Sequence, residues 1–418
     1  MNVKKLFWIL FLLNLFNYID RQVLFSVFPL LQTDLAISDT QLGTLASVFM
    51  IVYMLYAPLV GYFADRTQRQ KWIGASALIW SAATLACAWA KNYAALLITR
   101  GFIGIGEAGF TTIAQPFLAE NYPKEKRATV LASFALALPA GSAVGYLAGG
   151  FVGQHWGWRA AFMLVGVPGI FLGLLALTQL KDTLRLTQNE RERARTVDYL
   201  VLLRNKSFLF LCLAHAMGTF ALGGLSAWMP TYFHRFFDFS VSHAGLVFGV
   251  MVVVCGALGT YLGGHLADKL LKRTHLAYFI TIFGSFLLAF PFAALGVYCT
   301  QTLWAVVCFS AAVVFIFLPM GPISAAIVAL TRPRVRSMAF AINIFIIHAL
   351  GDAISPVLLG RASDLWGLKT AVFLCTLTVV PACICTALSA TFAKKTGHLK
   401  TYYQPVKDVI PPADTNAH

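Results

Sequence analysis

The chain has 418 residues, 59% of them hydrophobic and 12% charged, with a mean hydropathy of +0.73. A water-soluble domain carries about 25% charged residues, so the composition excludes an ordinary soluble protein. The formal charge of +15 does not point to nucleic acid, because the basic residues are scattered over loops and form no groove or motif.

Apolar runs of helical length follow in chain order at 6–31, 41–64, 71–90, 93–119, 128–153, 159–180, 207–234, 243–267, 275–298, 301–330, 337–362 and 368–392. Each reaches the ~20 residues that cross a bilayer as a helix. The expectation is an all-α membrane protein with twelve transmembrane helices in two pseudo-symmetric six-helix halves. The predicted division is an N-terminal half over 1–180, a cytoplasmic linker over 181–206, a C-terminal half over 207–392 and a cytoplasmic tail over 393–418. Lys4-Lys5 before an apolar run has the look of a signal peptide. Asn14, Asn17, Asp20 and Arg21 interrupt it and no small-residue cleavage site follows, so it is expected to stay as helix 1. The linker reads equally as a surface helix through Val197, Leu200 and Val201 or as a solvated connection, and the Pro-containing tail reads as disordered.

Taken with both termini, alternate connections hold 25 of the 32 lysines and arginines, and the opposite connections hold five. The positive-inside rule then puts both termini in the cytoplasm and the chain in the cell (inner) membrane.

The chain also repeats itself. Gly61-Tyr62-Phe63-Ala64-Asp65, followed by Arg66 and Arg69, is echoed by Gly264-His265-Leu266-Ala267-Asp268 and its basic followers. Gly141, Gly150, Trp156 and Gly157 are echoed by Gly351, Gly360, Trp366 and Gly367, at an offset of 210. Matched halves in a membrane chain imply a transporter that rocks one half against the other around a shared site.

Ionisable groups inside apolar runs are costly and so carry most of the functional information. Helix 1 places Asn14, Asn17, Asp20 and Arg21 in one expected polar stripe, and helix 4 places Arg100 and Glu107 seven residues apart on one face among several glycines. Asp20 and Glu107 are candidates for the protonated carboxylates, with Arg100, Arg21, Asn17 and Tyr18 as substrate or charge partners. The competing reading is a static ion-pair network that fixes packing. Asp65, Arg66, Arg69 and Asp268 are candidates for a cytoplasmic gate, against plain helix-end chemistry. His348 and Asp352, four apart, and His215 form a possible polar site in the C-terminal half. Phe16, Tyr18, Phe25, Phe110, Phe220 and Trp228 are expected on cavity-facing helices, where they would suit an acyl chain. No HExxH, Walker loop or GxSxG motif occurs, and the eight cysteines have no metal-ligand spacing. The expectation is therefore no enzyme, no metal and no cofactor beyond a coupling proton.

Gly61 to Arg69 with its echo resembles the loop 2–3 signature of the major facilitator superfamily. Asn17-Tyr18-Ile19-Asp20-Arg21, Thr99-Arg100-Gly101 through Gly106-Glu107-Ala108, Pro139 with Gly141-Ser142 and Gly145-Tyr146, and His348 with Gly351-Asp352-Ala353 through Ser355-Pro356 together resemble its Spinster-like branch. The resemblance implies a bacterial relative of lysophospholipid and sphingosine-1-phosphate transporters. It also implies Asp20 and Glu107 as protonation residues, Arg100 as the helix 4 arginine, and Asp65 with Arg69 as the cytoplasmic gate. The expected function is proton-coupled transport of a lysolipid by alternating access, by a chain that contacts membrane lipids and works as a monomer. Two alternatives stay open at this point: a transporter of small organic anions or drugs, and a non-transporting membrane sensor or scaffold.

Overall fold

The structure, a computed structural model, describes residues 3–64, 66–180, 202–331 and 335–396. The surface helix considered in the linker, and the tail beyond residue 396, lie outside the described residues.

Among the described residues the helices make up twelve spans. Span 1 is Val3–Ser26 continued by Phe28–Leu35; spans 2, 3 and 4 are Asp39–Ala64, Arg69–Ala88 and Tyr93–Glu120. Lys124–Ala135 starts span 5, which continues into Ala137–Gln179, and the turn at Gly157 begins span 6. Spans 7, 8 and 9 are Lys206–Phe236, Val241–Leu271 and Ala277–Tyr298. Span 10 is Thr302–Phe317 with Met320–Leu330, span 11 is Arg336–Ile347 with Ser355–Trp366, and span 12 is Leu368–Leu377 with Val379–Thr396. Among the described residues, eight stretches are long and apolar enough to cross a bilayer, and one of them, Thr129–Gln179, holds two spans. Spans 1, 3 and 4 are the ones that fall short, and they supply the buried polar groups of the site below.

Among the described residues, five spans are broken, each two to four residues before a proline. Pro29 follows the break at Val27, Pro139 the one at Leu136, Pro322 the one at Leu318, Pro356 the one after Asp352, and Pro381 the one at Thr378. A proline lacks the N–H that its helix needs, and its ring clashes with the carbonyl four residues back. In span 11 the break takes the form of a π turn, His348–Asp352, where the Ala353 N–H reaches the His348 carbonyl at 3.1 Å.

The repeat visible in the sequence is a repeat of structure. Gly157 and Gly367 both take positive φ, 83° and 82°, and turn span 5 into span 6 and span 11 into span 12. Gly141 lets span 5 approach the Leu15 carbonyl of span 1; Gly351 lets span 11 approach Thr219 and the Ala216 carbonyl of span 7. Gly150 and Gly360 then press each span onto the opposite half, against Val241 of span 8 and Asp39 of span 2.

The halves therefore meet at the end that carries the connections between spans 1 and 2 and between spans 7 and 8. Gly43 abuts the Pro356 carbonyl and Gly245 the Tyr146 carbonyl, the Tyr146 hydroxyl donates to the Ser226 carbonyl (2.8 Å), and the Trp228 ring packs on Phe28 of span 1 with centroids 5.4 Å apart. At the other end the glycines of the repeated loop signatures have no close neighbour from the opposite half among the described residues. A side chain on Gly61 would meet only Thr112 of its own half, and one on Gly264 would meet nothing. Between the halves the side chains of Arg21, Asp352 and His348 stay partly exposed, at 16%, 22% and 25%, and mark the walls of a cavity.

Candidate functional site

Close glycine contacts put span 4 at the centre of the N-terminal half. Gly104 meets the Phe49 carbonyl of span 2, and Gly106 and Gly109 meet Trp80 and Ser76 of span 3. Glu107 is thereby fully buried, and Arg21 of span 1 donates Nε to its Oε2 at 2.6 Å. Two charges this far from water are favourable only when paired and hydrogen-bonded, and removing one partner of such a pair costs about 3–5 kcal/mol.

Arg21 is the member of the pair that reaches the cavity. Its guanidinium lies 5.3 Å from the Tyr18 ring centroid and 5.1 Å from those of Phe49 and Tyr53, an aromatic surround that favours a cation. Nε is spent on Glu107, and the two terminal nitrogens donate to no described residue. Tyr53 is held in turn by Thr111, hydroxyl to hydroxyl at 2.6 Å, and Thr111 bonds the Glu107 carbonyl.

Asp20 faces elsewhere. Adjacent helix positions differ by about 100°, so the single polar stripe expected on span 1 divides. Asp20 turns to span 3, where Thr84 donates to it at 2.6 Å, while Arg21 turns to spans 2 and 4. Asn14 donates to the Phe134 carbonyl of span 5 (3.2 Å), and Asn17 is fully buried with neither amide atom bonded. Arg100 is almost fully buried. Its Nε approaches the Leu45 carbonyl at 3.4 Å, its guanidinium stacks 4.8 Å from Phe49, and one terminal nitrogen has no partner. Phe49 thus lies beside both arginines. The unbonded oxygens of Asp20 and Glu107 complete a buried polar chamber in the N-terminal half.

Across the cavity, His348 Nδ1 and Asp352 meet at 2.9 Å on the π turn, and the His348 ring lies 6.5 Å from Tyr53. His215 meets Asn343 at 3.2 Å. The structure thus joins the paired histidine and aspartate of span 11 to the arginine of span 1 through one tyrosine ring.

Arg69 pairs with Glu120 of its own half (2.6 Å), Arg66 lies over Tyr62 one turn away, and Asp268 is exposed. Asp65 lies outside the described residues. Two aromatics expected in the cavity are elsewhere, because close helix contacts cover them. Phe110 is buried against Trp80 between spans 3 and 4, and Trp228 is buried against Phe28 in the seal. Phe16, Tyr18, Phe25 and Phe220 are partly buried.

Sequence reasoning missed the seal's polar core. Asp39 of span 2, nearly buried, accepts from Arg235 of span 7 twice (2.6 and 2.7 Å), from Gln32 (2.8 Å) and from Ser363 of span 11 (2.5 Å). Asp364 accepts from the backbone of Asp39 and Thr40, capping span 2 from the opposite half. The only local signal is the capping box of Ser38 and Gln41, which explains a helix start and nothing more.

The sequence profile of the Major Facilitator Superfamily matches residues 10–356. A probable sphingolipid transporter, spinster homolog 2, from Arabidopsis thaliana is 28% identical over 86% of this chain and 81% of its own length. The mouse sphingosine-1-phosphate transporter SPNS2 is 31% identical over 85% of this chain and 69% of its own. The fold matches the crystal structure of a bacterial homolog to the human lysosomal transporter Spinster in an inward-facing, unoccupied conformation. That match has a TM-score of 0.84 at 22% identity and covers 94% of this chain and 98% of that one. A D-xylose–proton symporter shares the fold at a TM-score of 0.74 and 18% identity.

Proposed function

Since this chain belongs to the Spinster branch of the Major Facilitator Superfamily, and is a multi-pass membrane transporter and not an enzyme, we propose that it carries a lysolipid across the cell membrane in exchange for, or together with, protons. The observation that supports this reading is the Arg21–Glu107 pair, at 2.6 Å, with Glu107 fully buried and Arg21 partly exposed at the cavity wall. An anionic headgroup and the Glu107 carboxylate compete for one guanidinium. Substrate bound at Arg21 leaves Glu107 without its counter-charge, and a buried carboxylate without one takes up a proton. A proton on Glu107 releases Arg21 for the headgroup. Substrate and proton thus bind on linked equilibria, which is the requirement for coupling. Asp20, held by Thr84 and facing Arg100, is the second protonation site.

The aromatic wall of Tyr18, Phe49 and Tyr53 suits the apolar part of such a substrate. Its relatives are named for sphingolipid and sphingosine-1-phosphate transport, which favours a lipid cargo over a small organic acid. The basic loops lie at the end opposite the seal, so by the positive-inside rule that end and both termini are cytoplasmic and the sealed end faces outward. The reciprocal state, with the Asp39 seal broken and the loop 2–3 signature closed by Asp65, Arg69 and Asp268, completes alternating access. Inward proton movement supplies ~2.3 kcal/mol per 100 mV and ~1.4 kcal/mol per pH unit, enough for a tenfold gradient without ATP.

The test is flux of a labelled lysophospholipid in proteoliposomes, with and without an inward proton gradient, for wild type and Glu107→Gln. Gradient-stimulated flux that the substitution abolishes is expected. Wild-type flux indifferent to the gradient would remove the coupling, and no lysolipid flux at all would remove the cargo.

A further inference from the structure

The cavity chemistry uses one face of span 1 and leaves another unexplained. Near the start of that span Phe7, Trp8 and Phe11 cluster, with ring centroids 5.6, 5.7 and 5.6 Å apart. With Val130, Ser133 and Leu136 of span 5 they line a groove of about 410 Å³, within the roughly 300–1,000 Å³ usual for a ligand site. Ser133 spends its hydroxyl on the Thr129 carbonyl (2.9 Å), so the wall it offers is apolar. Trp8 stands 13 positions before Arg21, about 140° away around the helix. The Trp8 side of the groove therefore looks out to the membrane and not into the cavity. Trp8 and Leu136 are 57% and 61% exposed there.

One turn nearer the cytoplasmic end, each wall of the groove carries a lysine. Lys4 precedes Phe7, Trp8 and Phe11 by three, four and seven residues, the spacing of one helix face. Lys126 precedes Thr129, Val130 and Ser133 by the same three offsets. Both lysines are exposed. The turns that bear them are tied together. The Tyr122 hydroxyl donates to the Val3 carbonyl (3.1 Å), and Arg127 Nε donates to the Tyr122 carbonyl (3.0 Å). On the other flank of span 1, Lys5 donates to Gln179 of span 6 (2.9 Å) and so belongs to a different contact. From the middle of the membrane outward, the groove offers an apolar wall, then an aromatic cluster, then two ammonium groups. That is the order of tail, interface and phosphate in a phospholipid.

We infer that this groove holds a resident phospholipid of the cytoplasmic leaflet, one whose headgroup is anionic. An acyl chain lies along Phe7, Phe11 and Val130, and the phosphate meets Lys4 and Lys126. The occupant follows from charge. Two ammonium groups attract a phosphate whose headgroup brings no cation, whereas the ammonium of a choline or ethanolamine lipid would stand against like charge. The inference rests on the orientation given above, with the termini in the cytoplasm, and not on the identity of the cargo. The lipid joins the start of span 1 to the short segment of span 5 that precedes the break at Leu136. It is a structural ligand of the N-terminal half, separate from the cavity and its Arg21–Glu107 pair.

The experiment takes the purified full-length chain in detergent and counts bound lipid by native mass spectrometry. The probes are dioleoyl phosphatidylglycerol, phosphatidylcholine and phosphatidylethanolamine. A lysine near a membrane surface is worth roughly fivefold in affinity for an anionic lipid, so phosphatidylglycerol should be retained on the order of tenfold better than the other two. Lys4→Gln with Lys126→Gln should remove most of that preference. Lys394→Gln with Lys395→Gln, which takes the same charge from the end of span 12, should leave it in place. Ser133→Phe, which keeps both lysines and fills the groove, should lower phosphatidylglycerol binding. Equal wild-type binding of the three lipids would overturn the inference. So would an equal loss from both lysine pairs, which is diffuse attraction to a basic surface, or a Ser133→Phe protein that binds like wild type. The wild-type ranking needs no variant, so misfolding of a variant leaves the test intact. Flux is not the readout, so the lysolipid reading stands or falls separately.

Discussion

Asp39 and Arg235, 196 positions apart in the chain, grip each other through two hydrogen bonds of 2.6 and 2.7 Å where span 2 of one half meets span 7 of the other. With Gln32 and Ser363 they form the polar core of an apolar seal. A carboxylate this buried is stable only while its donors stay in place, so the contact behaves as a latch that is whole or broken.

Breaking the latch should shift the resting population. In a cysteine-free background, a cysteine placed at Phe28, fully buried beneath the seal, should react slowly with a membrane-impermeant thiol reagent applied from outside. Adding Arg235→Ala should raise that rate on the order of tenfold, since each ~1.4 kcal/mol lost from the sealed state is a factor of ten in population. An unchanged rate would mean that the apolar contacts alone close this end.

The twelve spans were legible because a membrane imposes a length and a polarity on every crossing, and the halves were legible because Gly157 and Gly367 repeat a positive-φ turn that non-glycine residues adopt only with strain. The broken spans were not legible: Pro29, Pro139, Pro322, Pro356 and Pro381 accompany breaks, whereas Pro58, Pro116, Pro168, Pro230 and Pro291 lie inside continuous helices, so a proline alone does not mark one. Pairing was not legible. Nothing local says that Arg21 takes Glu107 while its neighbour Asp20 takes Thr84, because that depends on which helices the glycines of span 4 draw together. The latch was least visible of all. Asp39 sits in a helix-capping sequence and Arg235 in a helix-ending one, and both have adequate local explanations.

Helix approach at Gly106 sets the depth of the coupling site. A methyl group there would stand 2.5 Å from the Trp80 backbone nitrogen and 2.8 Å from the Ser76 carbonyl, so spans 3 and 4 would have to part. Gly106→Ala should cost about 1–3 kcal/mol, as overpacking does. Gly284→Ala, on span 9 where nothing stands within 4 Å, should be neutral or stabilising by up to ~1 kcal/mol. Thermal unfolding in one detergent compares the two, and equal losses would show that close packing at span 4 is not what the glycine provides.

At the rim of the sealed end, Asp34 accepts from Arg159 (2.7 Å) and Trp158 (2.9 Å), and these bonds, that of Arg159 first, hold its carboxyl below the ordinary value. A depressed carboxylate pKa stabilises the fold above the unfolded-state value and ceases to do so as pH falls through the folded-state value. The side chain is 45% exposed, so solvent screening limits the effect to about 1 kcal/mol or less. Asp34→Asn should lower the unfolding temperature slightly at pH 7, and the gap from wild type should narrow in the acid range below about pH 4. A gap that stays constant to acid pH would assign the loss to packing and not to charge.

The pair of Arg21 and Glu107 should show itself as non-additivity. Glu107→Gln leaves Arg21 beside an uncharged amide, and Arg21→Gln leaves Glu107 buried without its cation, so each single change strands one charge. A stranded buried charge costs about 3–5 kcal/mol, more for Glu107, whose side chain is fully buried, than for Arg21, which keeps contact with the cavity and its three rings. Changing both removes both charges, and the double variant should be more stable than the sum of the singles by about 1–3 kcal/mol, the usual coupling for residues in direct contact. Thermal unfolding of the four proteins under one condition gives the coupling. Flux adds a readout that packing alone does not move: the double variant should recover stability without recovering gradient-driven transport. Simple additivity would mean that the two side chains are independent of one another, and the linkage between headgroup and proton would then need another pair of residues.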